Sequence, residues 1–369
     1  FQAEDGIRDF CLSRGLGDVY KRQTLSIAFI CAQIFLLLNV PAPYFLGSLI
    51  GVWGIGACVS NTRPVLVIAN WFYLPVIIGI SVLIGTNFTP VIMQTAQKWF
   101  VTVSIMIFAT VCVTIIAFQF LTRVRLYEPK IAFLCSIPGG QAEALVMARE
   151  MVEKDYVVAL FHLVRVAIVF ISTPLFLMII EGPEAIQRSN VILQDMPNIY
   201  DLSFIQAGFF IGLCVSGYWI ARLIRMPMPH LLGPIFLSSI LHLTGTIELP
   251  RISEFVIIAQ MTIGASVGGR LAQISLLELK NVLNDALITS GLVIITYLLV
   301  AILIALMSDV AFLSIWLAFV PGGLYEATIL AIIFGFDVAF VVFHHLVRVI
   351  LIFVSKSPRN GIPAIKPVI

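Results

Sequence analysis

The chain has 369 residues, 60% of them hydrophobic and only 11% charged, with a formal net charge of +2. Soluble domains carry roughly 25% charged residues, so this balance excludes an ordinary soluble core and points to a membrane protein. The basic residues are scattered singly rather than clustered on one element, which leaves no case for nucleic acid as a partner.

Residues 1–23 are polar and charged and lack the apolar core of a signal peptide. The stretch 9–23 resembles the translated adapter sequence that contaminates metagenomic assemblies, and 1–23 is set aside as non-native. From Thr24 onward, apolar segments fall at about 24–40, 42–59, 66–87, 99–121, 130–148 and 155–180. Several are long enough, at 17 to 25 residues with almost no charge, to cross a bilayer. A polar linker at 181–202 follows, and a second series occupies about 203–221, 229–247, 253–269, 285–307, 311–333 and 337–355. Cys31, Cys58, Cys112, Cys135 and Cys214 lie in apolar stretches without metal-type spacing and read as packing residues. The mixed stretches 89–98 and 274–285 read as short interfacial helices joining spans.

The two series are a duplication. Pro138-Gly139-Gly140, Glu143-Ala144 and His162-Leu163-Val164-Arg165-Val166 recur as Pro321-Gly322-Gly323, Glu326-Ala327 and His345-Leu346-Val347-Arg348-Val349, each offset by 183 positions. Pro41-Ala42-Pro43-Tyr44-Phe45-Leu46-Gly47 matches Pro227-Met228-Pro229-His230-Leu231-Leu232-Gly233 at an offset of 186, the difference being a change in loop length. Each of these latter motifs opens a segment, where Pro fits the first helical turn, and reads as a helix start with a close-packing glycine. Gly47 and Gly51, like Gly264 and Gly268, have the small-xxx-small spacing of helix contacts.

Six crossings per half would make the halves parallel, and five would make them inverted. If the Pro-Gly-Gly segments do not cross and the C-terminus is cytoplasmic, thirteen basic residues fall inside, Arg225 and Arg270 among them, and only Lys98, Arg188 and Arg251 fall outside. That split obeys the positive-inside rule. The predicted fold is therefore an all-α polytopic membrane protein of two inverted-topology repeats, with about ten transmembrane helices plus two Pro-Gly-Gly re-entrant or broken helices. Its parts are repeat 1 (24–180), an external linker (181–202), repeat 2 (203–356) and a cytoplasmic tail (357–369), with both termini cytoplasmic in a bacterial inner (plasma) membrane.

A helix interrupted by Pro-Gly-Gly exposes amides and carbonyls that hydrocarbon does not tolerate, and breaks at matching positions of inverted halves mark transporter binding sites. The candidate substrate-binding residues are thus Gly139, Gly140, Glu143, His162 and Arg165, with Gly322, Gly323, Glu326, His345 and Arg348. The second arms should begin near Gln141 and Leu324, with free amides suited to an anion. Glu143 and Glu326 lie in those first turns, where a carboxylate either faces a ligand or compensates the helix dipole.

His162 and Arg165, like His345 and Arg348, are three apart and share a helical face. Arg165 follows Asp155 by ten residues, about 15 Å along a helix and close to mid-bilayer. The expected structural partner is Glu143 for Arg165 and Glu326 for Arg348; the competing role is to bind a substrate carboxylate or phosphate. The two histidines either carry protons or join helices by a hydrogen bond. His230, His242, His344, Gln119, Gln206 and Gln260 have no matched counterpart, and His230 and His242 read as interfacial or packing residues.

The paired Pro-x-Pro-x-x-Leu-Gly elements (Pro41 to Gly47, Pro227 to Gly233), with Pro-Gly-Gly-x-x-Glu-Ala and a downstream Arg (Pro138 to Ala144 with Arg165, Pro321 to Ala327 with Arg348), resemble the AbrB family of bacterial membrane proteins. The resemblance runs from about Thr24 to the end. It implies conflicting roles: a regulator of gene expression, an ammonia monooxygenase or a transporter. The family shares only a name with the soluble DNA-binding AbrB regulators.

A metal oxygenase wants clustered His and carboxylate ligands, whereas the adjacent His344 and His345 point about 100° apart on a helix. The chain therefore reads as a non-enzyme without metal or cofactor. Its expected role is a secondary transporter or exporter of a small anionic solute, with H+ or Na+ as candidate coupling ions. The partners are the lipid bilayer and that solute, and a homo-oligomer is compatible. The alternative is a membrane-embedded regulator or sensor that affects gene expression indirectly.

Overall fold

The computed structural model describes residues 23–59, 62–63, 66–139, 144, 147–148, 151–182, 184–273, 280–308 and 310–355. Among them the regular structure is helical, with no strand. In chain order the helices are α1 (Gln23–Leu37), α2 (Pro43–Cys58), α3 (Asn70–Gly85), the short α4 (Ile92–Ala96), α5 (Trp99–Gln119), α6 (Pro129–Ser136) and α7 (Asp155–Glu181). Next come α8 (Glu184–Asp195), α9 (Phe204–Leu223), α10 (Pro229–Leu243), α11 (Ser253–Ala272), α12 (Lys280–Met307), α13 (Phe312–Phe319), α14 (Leu324–Phe334) and α15 (Val338–Ser355).

Five stretches are long and apolar enough to cross a membrane: Trp99–Val124, Asp155–Glu181, Phe204–Leu223, Ser253–Ala272 and Val282–Met307. Their outward faces fit that reading. On α9, Phe204 is 98% exposed and Leu223 83% exposed, surface that water would penalise at about 25 cal/mol per Å² and that lipid does not. This is a helical membrane protein. By contrast α2, at 16 residues, is about 24 Å long, short of a hydrocarbon core of roughly 30 Å. Non-helical segments precede α3 at 66–69 and α11 at 248–252, each ending in an extended residue, Ala69 and Ile252.

The turn between α1 and α2 explains the Pro-x-Pro motif. Asn39 and Ala42 have φ of 51° and 49°, and their counterparts Arg225 and Met228, between α9 and α10, have 56° and 48°. In the first turn Val40 N–H donates to Phe35 O at 3.0 Å, and in the second Met226 N–H donates to Ala221 O at 2.9 Å. These are Schellman-type ends closed by a left-handed residue, followed by Pro at the start of the next helix. The motif is thus a helical-hairpin corner, repeated at the same offset of 186 positions.

The hairpins cross over: α2 packs against α11, and α10 packs against both α3 and its own hairpin partner α9. Glycine permits the first contact, since a Cβ at Gly264 or Gly268 would overlap the carbonyl oxygens of Phe45 and Leu49. Helices α5, α7 and α12 form another group, and α13, α14 and α15 pack together. Nearly all of α13 and α14 is buried, including Trp316, Phe319, Ala327 and Ile329 at 0% exposure. A broken helix can sit here because protein, not lipid, surrounds its backbone.

One expectation needs correction. Residues 280–285 are not part of an interfacial helix but the first turns of α12, where Asp285 accepts from Tyr127 at 2.9 Å and pairs with Arg125. Burial and the Asp285 carboxylate together hold the Tyr127 phenol above its ordinary pKa. The linker 181–202 carries helix α8. Amphipathic α8 packs on α14, and Ile192 lies over Gly335, whose φ of 71° favours glycine.

Candidate functional site at the broken helix

Helix α13 ends where Val320 turns to ψ 137°, and α14 starts after Gly323 at ψ 149°. The break 320–323 therefore leaves a carbonyl end and an amide end facing one region. A helix end carries four carbonyls without an intrahelical partner. Here α15 supplies their donors. His345 Nε2 is 2.9 Å from Leu317 O, Arg348 Nη2 donates to Phe319 O at 2.8 Å and Ala318 O at 3.2 Å, and Arg348 Nη1 donates to Val320 O at 2.9 Å. One His and one Arg, a turn apart, close the end of α13.

The first copy repeats this arrangement. His162 Nε2 lies 2.9 Å from Leu134 O, Arg165 Nη1 donates to Ile137 O at 2.9 Å, and Arg165 Nη2 donates to Cys135 O at 2.6 Å. Every acceptor again differs by 183 from its counterpart in the second copy. Both guanidiniums are buried, at 0% and 2% exposure, and the negative end of a helix dipole compensates each of them. Arg348 also lies over the Tyr297 ring, 5.6 Å from its centroid, while the Tyr297 hydroxyl and Thr110 Oγ1 are 2.8 Å apart across α12 and α5.

The expected Arg348–Glu326 ion pair does not form. Glu326 sits three residues past Gly323, with its carboxyl folded back against Gly323. The physical reason is polarity at the break: the carbonyl end of α13 attracts the cation and the amide end of α14 attracts the carboxylate. The two charges cap opposite ends. Glu326, Tyr325 and Gly323 retain partial exposure within this enclosed region. In the first copy Gly139 is buried, while Gly140 and Glu143, and hence the expected Arg165–Glu143 pair, lie outside the described residues.

The second break faces the first half of the chain. Phe170, one and a half turns beyond Arg165 on α7, lies against Gly322, and Trp316 Nε1 donates to Thr173 Oγ1 at 3.1 Å. Sequence reasoning missed these contacts and one residue near Glu326. Arg270, read as a loop cation, occupies the last turn of α11 beside Tyr73 and close enough to Glu326 for their charges to interact. A basic residue two past the small-xxx-small pair Gly264 and Gly268 was the available signal.

Three of the unmatched polar residues have local roles. His344 Nε2 meets Thr102 Oγ1 at 2.9 Å, and His242 joins Ser238 O at 2.7 Å and accepts from Leu249 N–H at 3.3 Å. Gln206 completes a capping box with Ser203 at the start of α9. Among the described residues, no three His, Cys, Asp or Glu side chains group as a metal site would require.

A family model described as "Transition state regulatory protein AbrB" matches residues 52–359, a span that includes both Pro-Gly-Gly motifs and both His–Arg pairs. The chain belongs to the AbrB family. It is also similar to YhjN, an uncharacterized protein of Bacillus subtilis (strain 168), with 22% identity over 338 residues, covering 85% of this chain and 86% of that protein. For this AbrB-family chain, the duplicated motif corresponds to a concrete device: a His and an Arg that finish an interrupted helix in each half.

Proposed function

We propose that this AbrB-family protein is a secondary transporter or exporter of a small anionic solute, moved across a bacterial inner membrane. In this reading the halves are inverted repeats of five crossings each, with cytoplasmic termini, and the solute site lies between the two broken helices near mid-bilayer. The observation that carries it is the second break, where an amide end is met by a part-buried carboxylate, Glu326, inside the protein. Helix amino ends bind anions, and Glu326 occupies the place a solute carboxylate would take. Uptake of a proton or Na+ by Glu326, or its rotation away, would vacate that place and couple the solute to an ion. His162, Arg165, His345 and Arg348 then hold the breaks open rather than contact the solute.

The family description names a regulatory protein, which supports a second reading: a membrane sensor that binds without translocation. Comparing intracellular and medium metabolites in cells with and without the gene separates the two. A transporter changes the gradient of at least one small anion, and Glu326→Gln abolishes that change at equal expression. Unchanged gradients across the anionic metabolome would sink the transporter reading.

A further inference from the structure

Helix α7 has two working faces. His162, Arg165, Val169 and Thr173 serve the breaks on one side, while Val164, Ile168, Ile171 and Leu175, on the opposite side by helical spacing, line a cavity of about 470 Å³. Trp53 on α2, Leu271 on α11, and Leu283 and Leu287 on α12 complete its wall. Leu175 and Leu287 are 42% and 45% exposed. The cavity therefore opens at the perimeter, between two helices long and apolar enough to cross a membrane. The one hydroxyl in its lining, Ser172 Oγ, donates to Val169 O at 3.2 Å and is satisfied within the helix. Apolar cavities of roughly 150 Å³ already stay dry and take up apolar molecules, so a larger one that opens to a bilayer fits a hydrocarbon chain.

The groove also has a charged end. Lys280, exposed at the start of α12, precedes Leu283 by three residues and Leu287 by seven, and so shares their face. Asp285, the acid within the same first turns, is neutralised by Arg125 and hydrogen-bonded by Tyr127. Arg123, two residues before Arg125, is exposed as well. An apolar groove with a cation one turn beyond its wall matches a lipid with an anionic headgroup, because basic residues at a membrane surface attract such lipids. Trp53 suits the same boundary: it lies five residues from the end of α2, and tryptophan favours the zone where hydrocarbon meets headgroups.

We propose that this groove is a specific site for an anionic phospholipid of the surrounding membrane, with an acyl chain between α7, α12 and α2 and the headgroup phosphate at Lys280. The chain fills the space behind α7, whose other face holds the first break through Arg165 and reaches the second through Thr173 and Trp316. A bound lipid thus braces the helix that touches both breaks. The proposal stands apart from the identity of the transported solute.

The test is photolabelling of the whole protein in lipid vesicles with a phosphatidylglycerol that carries a diazirine on its acyl chain, the adducts being located by mass spectrometry. Adducts at Ile168, Ile171 and Leu287 should be at least about fivefold more frequent than at Phe209 and Ile211, which are 48% and 61% exposed on α9. Unlabelled phosphatidylglycerol should compete for the groove about fivefold better than phosphatidylcholine, the weight of one basic residue at an anionic surface. Lys280→Gln should erase that preference and leave labelling of α9 unchanged. Leu287→Trp, which adds bulk at the exposed rim, should remove the adducts at Ile168. Equal labelling of the groove and α9 in the unaltered protein, equal competition by the two lipids, or a headgroup preference that survives Lys280→Gln would each overturn the proposal and leave the transporter reading standing.

Discussion

Opposite capping of the break by Arg348 and Glu326 makes a quantitative prediction, because a pair of charges and two independent caps respond differently to double substitution. Arg348→Met removes three hydrogen bonds, to Val320, Phe319 and Ala318, from a site 2% exposed. Bonds to a charged donor are worth about 1.5–3 kcal/mol each. They are not additive, and the variant also relieves burial of a cation, so a net loss of about 3–5 kcal/mol is expected. Arg348→Lys should recover less than half of this, since one ammonium cannot fork to carbonyls on both sides of a helix end. Glu326→Gln should cost about 1 kcal/mol, a dipole and capping contribution. The double variant should then lose the sum of the two, with a coupling energy under about 0.5 kcal/mol. Reversible unfolding in mixed detergent micelles reads all four proteins. A coupling energy above about 1.5 kcal/mol would mean that the two side chains stabilise each other, and the account of the break would be wrong.

The hairpin corner is testable separately. Arg225 is exposed and holds φ of 56°, so Arg225→Gly should raise stability by about 1 kcal/mol, where an unstrained side chain would lose by the same change. Topology can be read with single cysteines at Lys130, Lys154 and Ser189 after replacing the native cysteines. The inverted arrangement predicts labelling from the cytoplasm for the first two and from outside for the third; labelling of Lys154 from outside would mean that the first Pro-Gly-Gly segment crosses.

The helical segments were legible in the sequence because lipid-facing and core-facing surfaces are both apolar, which leaves long uncharged runs. The break was legible because Pro321-Gly322-Gly323 interrupts such a run. What His345 and Arg348 bind was not, since their partners are backbone carbonyls, which carry no side-chain identity. The clue was present only as a constant separation: His345 and Leu317, like His162 and Leu134, are 28 residues apart. Arg270 was misread for a different reason. It lies at the end of an apolar run next to a polar stretch, where a cation ordinarily marks a loop, and only the packing of α14 on α11 places it near Glu326. Amphipathic α8, within the linker 181–202, was hidden by its own charges.

Passage of an anion between the broken helices is read out by flux into reconstituted vesicles. Vesicles with an imposed proton or Na+ gradient should accumulate at least one of a panel of labelled small anions above protein-free controls. Glu326→Gln should remove the gradient dependence while keeping the fold, as judged by an unfolding midpoint within the expected 1 kcal/mol or so. Folded, vesicle-inserted protein that moves none of these small anions, under either gradient, would contradict it.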